Sequence, residues 1–256
     1  MPLIPLQSGI TYGPIRSRRL GRSLGVNLFP RDKKVCSYDC VYCHFGATTD
    51  RMLECLGARL PPVREVLEAV EACLKSDHEF DFVTLSGNGE PTMYPHFAEL
   101  VPKLKQLITR IRPSVRLALL SNSSTAGRPA LQKALNQIDL PVFKLDAGDQ
   151  ATFELLNRPC KGVVIDDIIK GLARLATRVK LVLQTAMVSG LVRNWEGAPY
   201  DAWVKAIKAI KPDRIQLYTT DRPVADQRVE KVSPEQLERI AARTRELTGV
   251  KTEAYY

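Results

Sequence analysis

Short apolar runs alternate with stretches of helical periodicity along the whole chain, and this alternation restricts the fold more than any other feature. The runs are Leu24 to Phe29 (LGVNLF), Phe80 to Ser86 (FDFVTLS), Val115 to Ser121 (VRLALLS), PVFKLD at 141–146, VKLVLQTAMV at 179–188 and RIQLYT at 214–219. A helix is expected after Pro61 and Pro62, where Val63, Val66, Leu67, Val70 and Leu74 fall on one side. Further helices are expected at His96 to Ile111, Ala130 to Gln137, Ile165 to Thr177 and Tyr200 to Ile210. A last one opens at Ser233-Pro234-Glu235, a cap followed by proline at the first helical position. Strands interleaved with helices imply a parallel sheet with right-handed crossovers, an α/β fold. No repeat, low-complexity tract or linker divides the 256 residues. One domain is expected, with a basic segment at 1–23 and the α/β core at 24–250. Six β/α units are two short of a full barrel, and periodicity alone does not separate an incomplete barrel from a doubly wound sheet. Both put their sites at the C-terminal ends of the strands.

The loop after the first run contains Cys36, Cys40 and Cys43 in CSYDCVYC, a CxxxCxxC spacing with Tyr42 before the last thiol. Three thiolates on one loop hold three corners of a cubane iron-sulfur cluster and leave the fourth iron open to a small molecule. A structural zinc site instead closes with four ligands and is usually built from paired CxxC units; Cys55 or a distant residue would have to supply the fourth. Ser37 and Asp39 make the loop polar, which suits ligands better than a packed core. Cys73 lies in a helix with apolar periodicity and reads as core. Cys160 follows Asn157-Arg158-Pro159 and is either a substrate contact or an inert thiol. His44, His78 and His96 have no mutual spacing that suggests a metal site.

The second run ends in SGNGEPT, where Gly87 and Gly89 flank Asn88 and precede Glu90. The glycines permit a sharp turn and a close backbone approach, and the carboxylate is able to accept from an ammonium. Ser121 and Asn122 end the third run, as ligand contacts or as a turn. Lys144 and Asp146 end the fourth on the same side of a strand, either paired with each other or touching a ligand. Gln184 is a polar residue in an apolar run. Tyr218, Asp221 and Arg222 close the sixth.

Six cysteines, three of them grouped, suit metal binding in a reducing compartment better than a disulfide framework. No run reaches the ~18 apolar residues of a membrane span, and no signal-peptide layout opens the chain; a cytoplasmic protein without membrane association is expected. The net charge of +9 permits a polyanionic partner such as RNA. Arg16, Arg18, Arg19 and Arg22 concentrate that charge ahead of the cysteines, as a solubilising arm or as a clamp for phosphate or carboxylate.

CxxxCxxC followed one strand later by GNGE resembles the radical S-adenosylmethionine (radical SAM) enzymes. YGPIRSRRLGRSLGV, GNGEPT, KLDAGD, the NRP segment and YTTDRP together look like the branch of iron-sulfur oxidoreductases related to wyosine-tRNA synthases. The resemblance implies a partial (β/α)6 TIM-like barrel and a [4Fe-4S] cluster on Cys36, Cys40 and Cys43. S-adenosylmethionine (SAM) would chelate the open iron and be cleaved by one electron to a 5′-deoxyadenosyl radical that abstracts hydrogen. It also implies that Gly87, Asn88, Gly89 and Glu90 hold the methionine end, that Ser121 and Asn122 serve ribose or carboxylate, and that Tyr42 lies near adenine. Lys144, Asp146 and Gln184 join this cofactor set, and Arg18, Arg19, Cys160, Tyr218 and Arg222 are the substrate candidates. The first 35 residues carry no cysteine, where wyosine synthases use an upstream set for a second cluster, and no flavodoxin-like domain is evident. Wyosine synthesis itself is therefore not expected, while tRNA base modification remains compatible with the charge. The alternatives are a small metabolite or peptide substrate, and a noncatalytic electron carrier or sensor. A flavodoxin or ferredoxin is the expected electron donor; oligomeric state is not legible.

Overall fold

The structure, a computed structural model, describes residues 3–55 and 59–256; residues 1 and 2 of the basic N-terminal segment lie outside the described residues. Eight strands form the main sheet: β1 Thr11–Ser17, β2 Gly21–Val26, β3 Phe82–Leu85, β4 Arg116–Ser121, β5 Leu140–Lys144, β6 Val182–Ala186, β7 Arg214–Tyr218 and β8 Lys251–Tyr255. Their spatial order is their sequence order, with β1 antiparallel to β2 and every later pair parallel. A doubly wound sheet reverses its strand order at a switch point; this sheet never does, so it winds one way and curls into a partial barrel.

Among the described residues seven helices supply the crossovers: α1 Val63–Lys75, α2 Phe97–Ile111, α3 Pro129–Leu135, α4 Gln150–Asn157, α5 Ile165–Ala176, α6 Gly197–Ile210 and α7 Pro234–Thr248. Ser233 caps α7 by accepting from Gln236 N at 3.2 Å, as the Ser-Pro-Glu signal predicts. The sheet has two strands more than the six apolar runs. Strand β1 contains Gly13 and Pro14, and β8 reads KTEAY, with two charged residues in five. Both lie at sheet edges, where proline and charge are tolerated and the apolar signal of a central strand is lost.

Side chains alternate across the sheet. Leu117 and Leu119 of β4 and Leu183 of β6 pack outward on the buried faces of the helices, among them Val66, Val70 and Leu74 of α1 and Leu100, Leu104 and Ile108 of α2. Each such burial contributes roughly 1.5–3 kcal/mol. The opposite face carries a smaller apolar cluster of Phe82, Ala118, Leu140, Val142 and Val182, joined by Leu20 from the β1–β2 turn. Polar pairs share that inner face, Ser23 with Thr84 at 2.6 Å and Gln184 with Gln216 at 3.0 Å. The outer layer thus carries the stability and leaves the inner face to ligands. Among the described residues no helix is long and apolar enough to cross a membrane.

Candidate active site

The cysteine loop leaves β2 and crosses the C-terminal edge of the sheet. Val35–Cys36 makes a short parallel pairing with Asp50–Arg51, and Cys43 N donates to Cys40 O at 3.0 Å, so the loop is held by its own backbone. Each of the three sulfurs accepts from a nitrogen of a different segment. Asn122 Nδ2 donates to Cys36 Sγ at 3.4 Å, Asn157 Nδ2 to Cys40 Sγ at 3.4 Å, and Lys34 Nζ to Cys43 Sγ at 3.0 Å. Without metal, burial pushes the Cys36 thiol up to about 12 and also raises Cys40; a bound iron replaces those protons outright. Donors aimed at sulfur suit thiolates that accept, the arrangement that tunes an iron-sulfur cluster. No three His, Cys, Asp or Glu side chains among the described residues close on one point. A cubane needs no such point, because each cysteine binds a different iron.

The GNGE loop is fastened to the cysteine loop. Val35 N donates to Asn88 O at 3.0 Å, and a Cβ on Gly89 would stand 1.9 Å from the Val35 carbonyl oxygen. Gly89 is therefore required for the approach of one loop to the other. Gly87 adopts φ +119°, a backbone state that disfavours any other residue. The Asn88 side chain bonds within the protein. Its Oδ1 accepts from Gln7 N, and its Nδ2 donates to Gln7 O and Pro30 O, at 2.8–2.9 Å. These bonds spend the amide on the loop itself.

Glu90 is 2% exposed. Its Oε1 accepts from Thr92 N at 3.1 Å and Thr92 Oγ1 at 2.5 Å, and its Oε2 accepts from Asn122 N at 2.6 Å. Burial raises its pKa, and these donors pull the other way. The β3 and β4 strand ends are thereby joined through one carboxylate.

Cys36, Gly87, Gly89, Glu90, Ser121, Asn122, Lys144 and Gln184 line one cavity of about 300 Å³, with Tyr12 and Phe45 also on its wall. Tyr12 lies against Gly25, where a Cβ would collide with its ring at 2.1 Å, and its hydroxyl pairs with Ser86 Oγ at 2.5 Å. Tyr42 and Asp146 stand behind this wall. Asp146 accepts from the Tyr42 hydroxyl, from Asn157 Nδ2 at 2.9 Å and from Ala186 N at 2.8 Å. Lys144 Nζ lies 3.7 Å from Asp146 and 4.1 Å above the Tyr42 ring, and it donates to the Tyr218 hydroxyl. Burial is the largest single influence and opposes the Lys144 charge, but Asp146, Tyr218 and Cys40 together outweigh it and the ammonium is held above its ordinary range.

A second cavity, of about 380 Å³, gathers Arg16, Arg18, Arg19, His44, Tyr218, Asp221 and Arg222. Four of the five substrate candidates meet there. Cys160 does not: it is buried behind the cysteine loop, with its N donating to Ser37 O at 2.8 Å. Arg22 also diverges, turning outward to Glu79 and Asp81. Sequence reasoning missed Lys34, Asn157, Tyr12 and His44 as site residues. Lys34 in DKKVC and Asn157 before Arg-Pro carried no periodic signal, and only the fold brings them to sulfur.

Residues 33–197 match the Radical SAM superfamily. A UPF0026 protein of Helicobacter pylori is 34% identical over 219 residues, covering 84% of this chain and 67% of that protein. A protein of Brachyspira hyodysenteriae named GTPase Obg is 28% identical over 236 residues; they are 91% of this chain, which spans only about a third (33%) of that protein. Among solved structures, TYW1 with a lysine-pyruvate adduct bound has TM-score 0.65 at 16% identity, covering 89% of this chain and 75% of that one. The chain belongs to the UPF0026 family and to the radical SAM superfamily, an enzyme superfamily whose members bind a [4Fe-4S] cluster and SAM.

Proposed function

We propose that Cys36, Cys40 and Cys43 hold the cluster and that SAM occupies the cavity beside Cys36. The observation that carries this reading is the set of three sulfurs, each accepting from its own nitrogen donor, with Cys36 on the wall of a 300 Å³ cavity that also contains Glu90 and Asn122. When bound, the cluster supplies one electron to SAM, whose C5′–S bond breaks to give a hydrogen-abstracting 5′-deoxyadenosyl radical.

The chain's own residues position and enclose. Glu90, fixed by Thr92 and Asn122, offers its carboxylate to the methionine ammonium. Ser121 and Asn122 face ribose and carboxylate. Gly87 and Gly89 keep the cavity wall free of side chains. Tyr12 and Phe45 restrict water at a site where a reactive radical would attack most C–H bonds. Lys144, Tyr42 and Asp146 hold the far wall as one buried unit.

The substrate we propose is polyanionic, with a tRNA base the first candidate, on the strength of the net charge of +9 and the arginine-lined cavity. A flavodoxin or ferredoxin supplies the electron. A noncatalytic carrier would leave both cavities without an occupant. The test is anaerobic reconstitution, reduction with dithionite and quantification of 5′-deoxyadenosine from added SAM. Reductant-dependent release supports the reading; an intact reduced cluster that never releases it refutes the reading.

A further inference from the structure

We infer that the arginine-lined cavity beside the cluster loop is a phosphate-binding site that anchors the substrate. This rests on the proposed reading of the neighbouring cavity as the SAM site. The turn between β1 and β2 carries Arg18 and Arg19 to the far side of the sheet, where Arg18 Nη2 pairs with Asp221 at 2.9 Å. Arg19 lies 4.4 Å above the Tyr218 ring. Its Nη1 is buried and has no hydrogen-bond partner among the described residues, and its guanidinium has no ion pair there. Arg19 as a whole is half-buried, but a guanidinium nitrogen that is buried without a partner is costly unless an anion completes it. Arg16 and Arg222 reach the same cavity, and Asp221 is its one carboxylate, so three positive charges stand uncancelled. Forked donors at that charge density suit a phosphate dianion, or adjacent phosphodiesters, better than a single carboxylate.

The position explains what the anchor does. Tyr218 lies under Arg19 on one side and accepts from Lys144 on the other, and Lys144 lines the cavity beside Cys36. The Tyr218–Lys144 pair is thus the partition between the two cavities. A substrate held by its phosphate at Arg19 projects its next few atoms past this partition toward the radical. His44, adjacent to Cys43, lies on the anchor side, with Nδ1 donating to Pro223 O at 3.1 Å. The anchor and the cluster loop therefore share a wall.

The test titrates reconstituted protein by calorimetry with four probes at fixed ionic strength: ribose 5-phosphate, ribose, acetate, and a 12-nucleotide RNA lacking terminal phosphates. Binding of ribose 5-phosphate without binding of ribose assigns a phosphorylated small molecule. Binding of the RNA alone assigns backbone diesters, with a salt slope that falls by about 0.7 per contact removed. Either result supports the anchor if Arg19→Gln weakens it by about tenfold or more. Arg222→Gln, at an exposed position, repeats the test should Arg19→Gln fail to fold, and Arg64→Gln on α1 is the remote control. Wild-type affinity in both cavity variants, acetate binding equal to phosphate, or no binding of any probe overturns the inference. Release of 5′-deoxyadenosine without substrate is scored separately, so loss of the anchor and loss of the SAM reading give different results.

Discussion

Lys34 Nζ donates to Cys43 Sγ at 3.0 Å and to Gly46 O at 2.8 Å, a buried ammonium set against a cluster ligand. Burial is the largest single influence and opposes its charge, yet the three sulfurs of Cys43, Cys36 and Cys40 together outweigh burial and its pKa is raised. A cation beside the cluster favours the state with the extra electron. Lys34→Met should therefore lower the reduction potential, by on the order of 50 mV, since about 59 mV is a tenfold change for one electron. An EPR-monitored redox titration reads this directly; an unchanged or raised potential contradicts the assigned role.

Gly89→Ala places a Cβ where the Val35 carbonyl now lies, at 1.9 Å. The cysteine loop must then shift from the GNGE loop, at a cost of about 1–3 kcal/mol. Iron and sulfide per chain after reconstitution should fall well below wild type. Full cluster content would show that the two loops need not touch.

Asn157 joins Cys40, Tyr42 and Asp146 through a single amide. Asn157→Ala leaves the Asp146 carboxylate with one partner fewer in a buried setting, a cost of about 1–3 kcal/mol. The denaturation midpoint should fall while iron content is retained, because no iron ligand is lost. An unchanged midpoint would remove Asn157 from the support of the loop.

Asp226 clasps Arg228 and Arg158, with Arg158 Nη2 at 2.6 Å, in the loop whose Ala225 N donates to Cys43 O. Hydrogen bonds from Arg228 and Arg158, against the opposing effect of burial, hold its carboxyl below the ordinary 3.8. A folded-state pKa below the unfolded one contributes stability that is present above about pH 4 and lost as pH falls toward the folded value. Melting temperatures from pH 6 to 3 should fall less steeply in Asp226→Asn than in wild type. Parallel curves would mean that the clasp does not contribute.

Much of this was legible in the sequence. The six central strands carry apolar runs because both their faces are buried, and CSYDCVYC and GNGE stand at their C-terminal ends, where the cavity opens. The edge strands β1 and β8 were not legible, since solvent exposure removes the pattern. Helix α4 was missed too: QATFELLN is eight residues long, and its Asp149 cap, accepting from Thr152 N at 2.8 Å, resembles any turn aspartate. Asn88 and Tyr42 show another limit. Position in a motif predicted their neighbourhood, but the direction of each side chain depends on partners as distant as Gln7 and Asp146. Lys34, Asn157 and Asn122 meet the three sulfurs from separate segments, a convergence that only the fold creates.

The measurement closest to the central claim is the EPR spectrum of the dithionite-reduced, reconstituted protein before and after SAM is added. SAM bound at an iron that the three cysteines leave open should change the g-values of the wild-type cluster. Identical spectra at saturating SAM would mean that the cluster offers no open corner to the cavity.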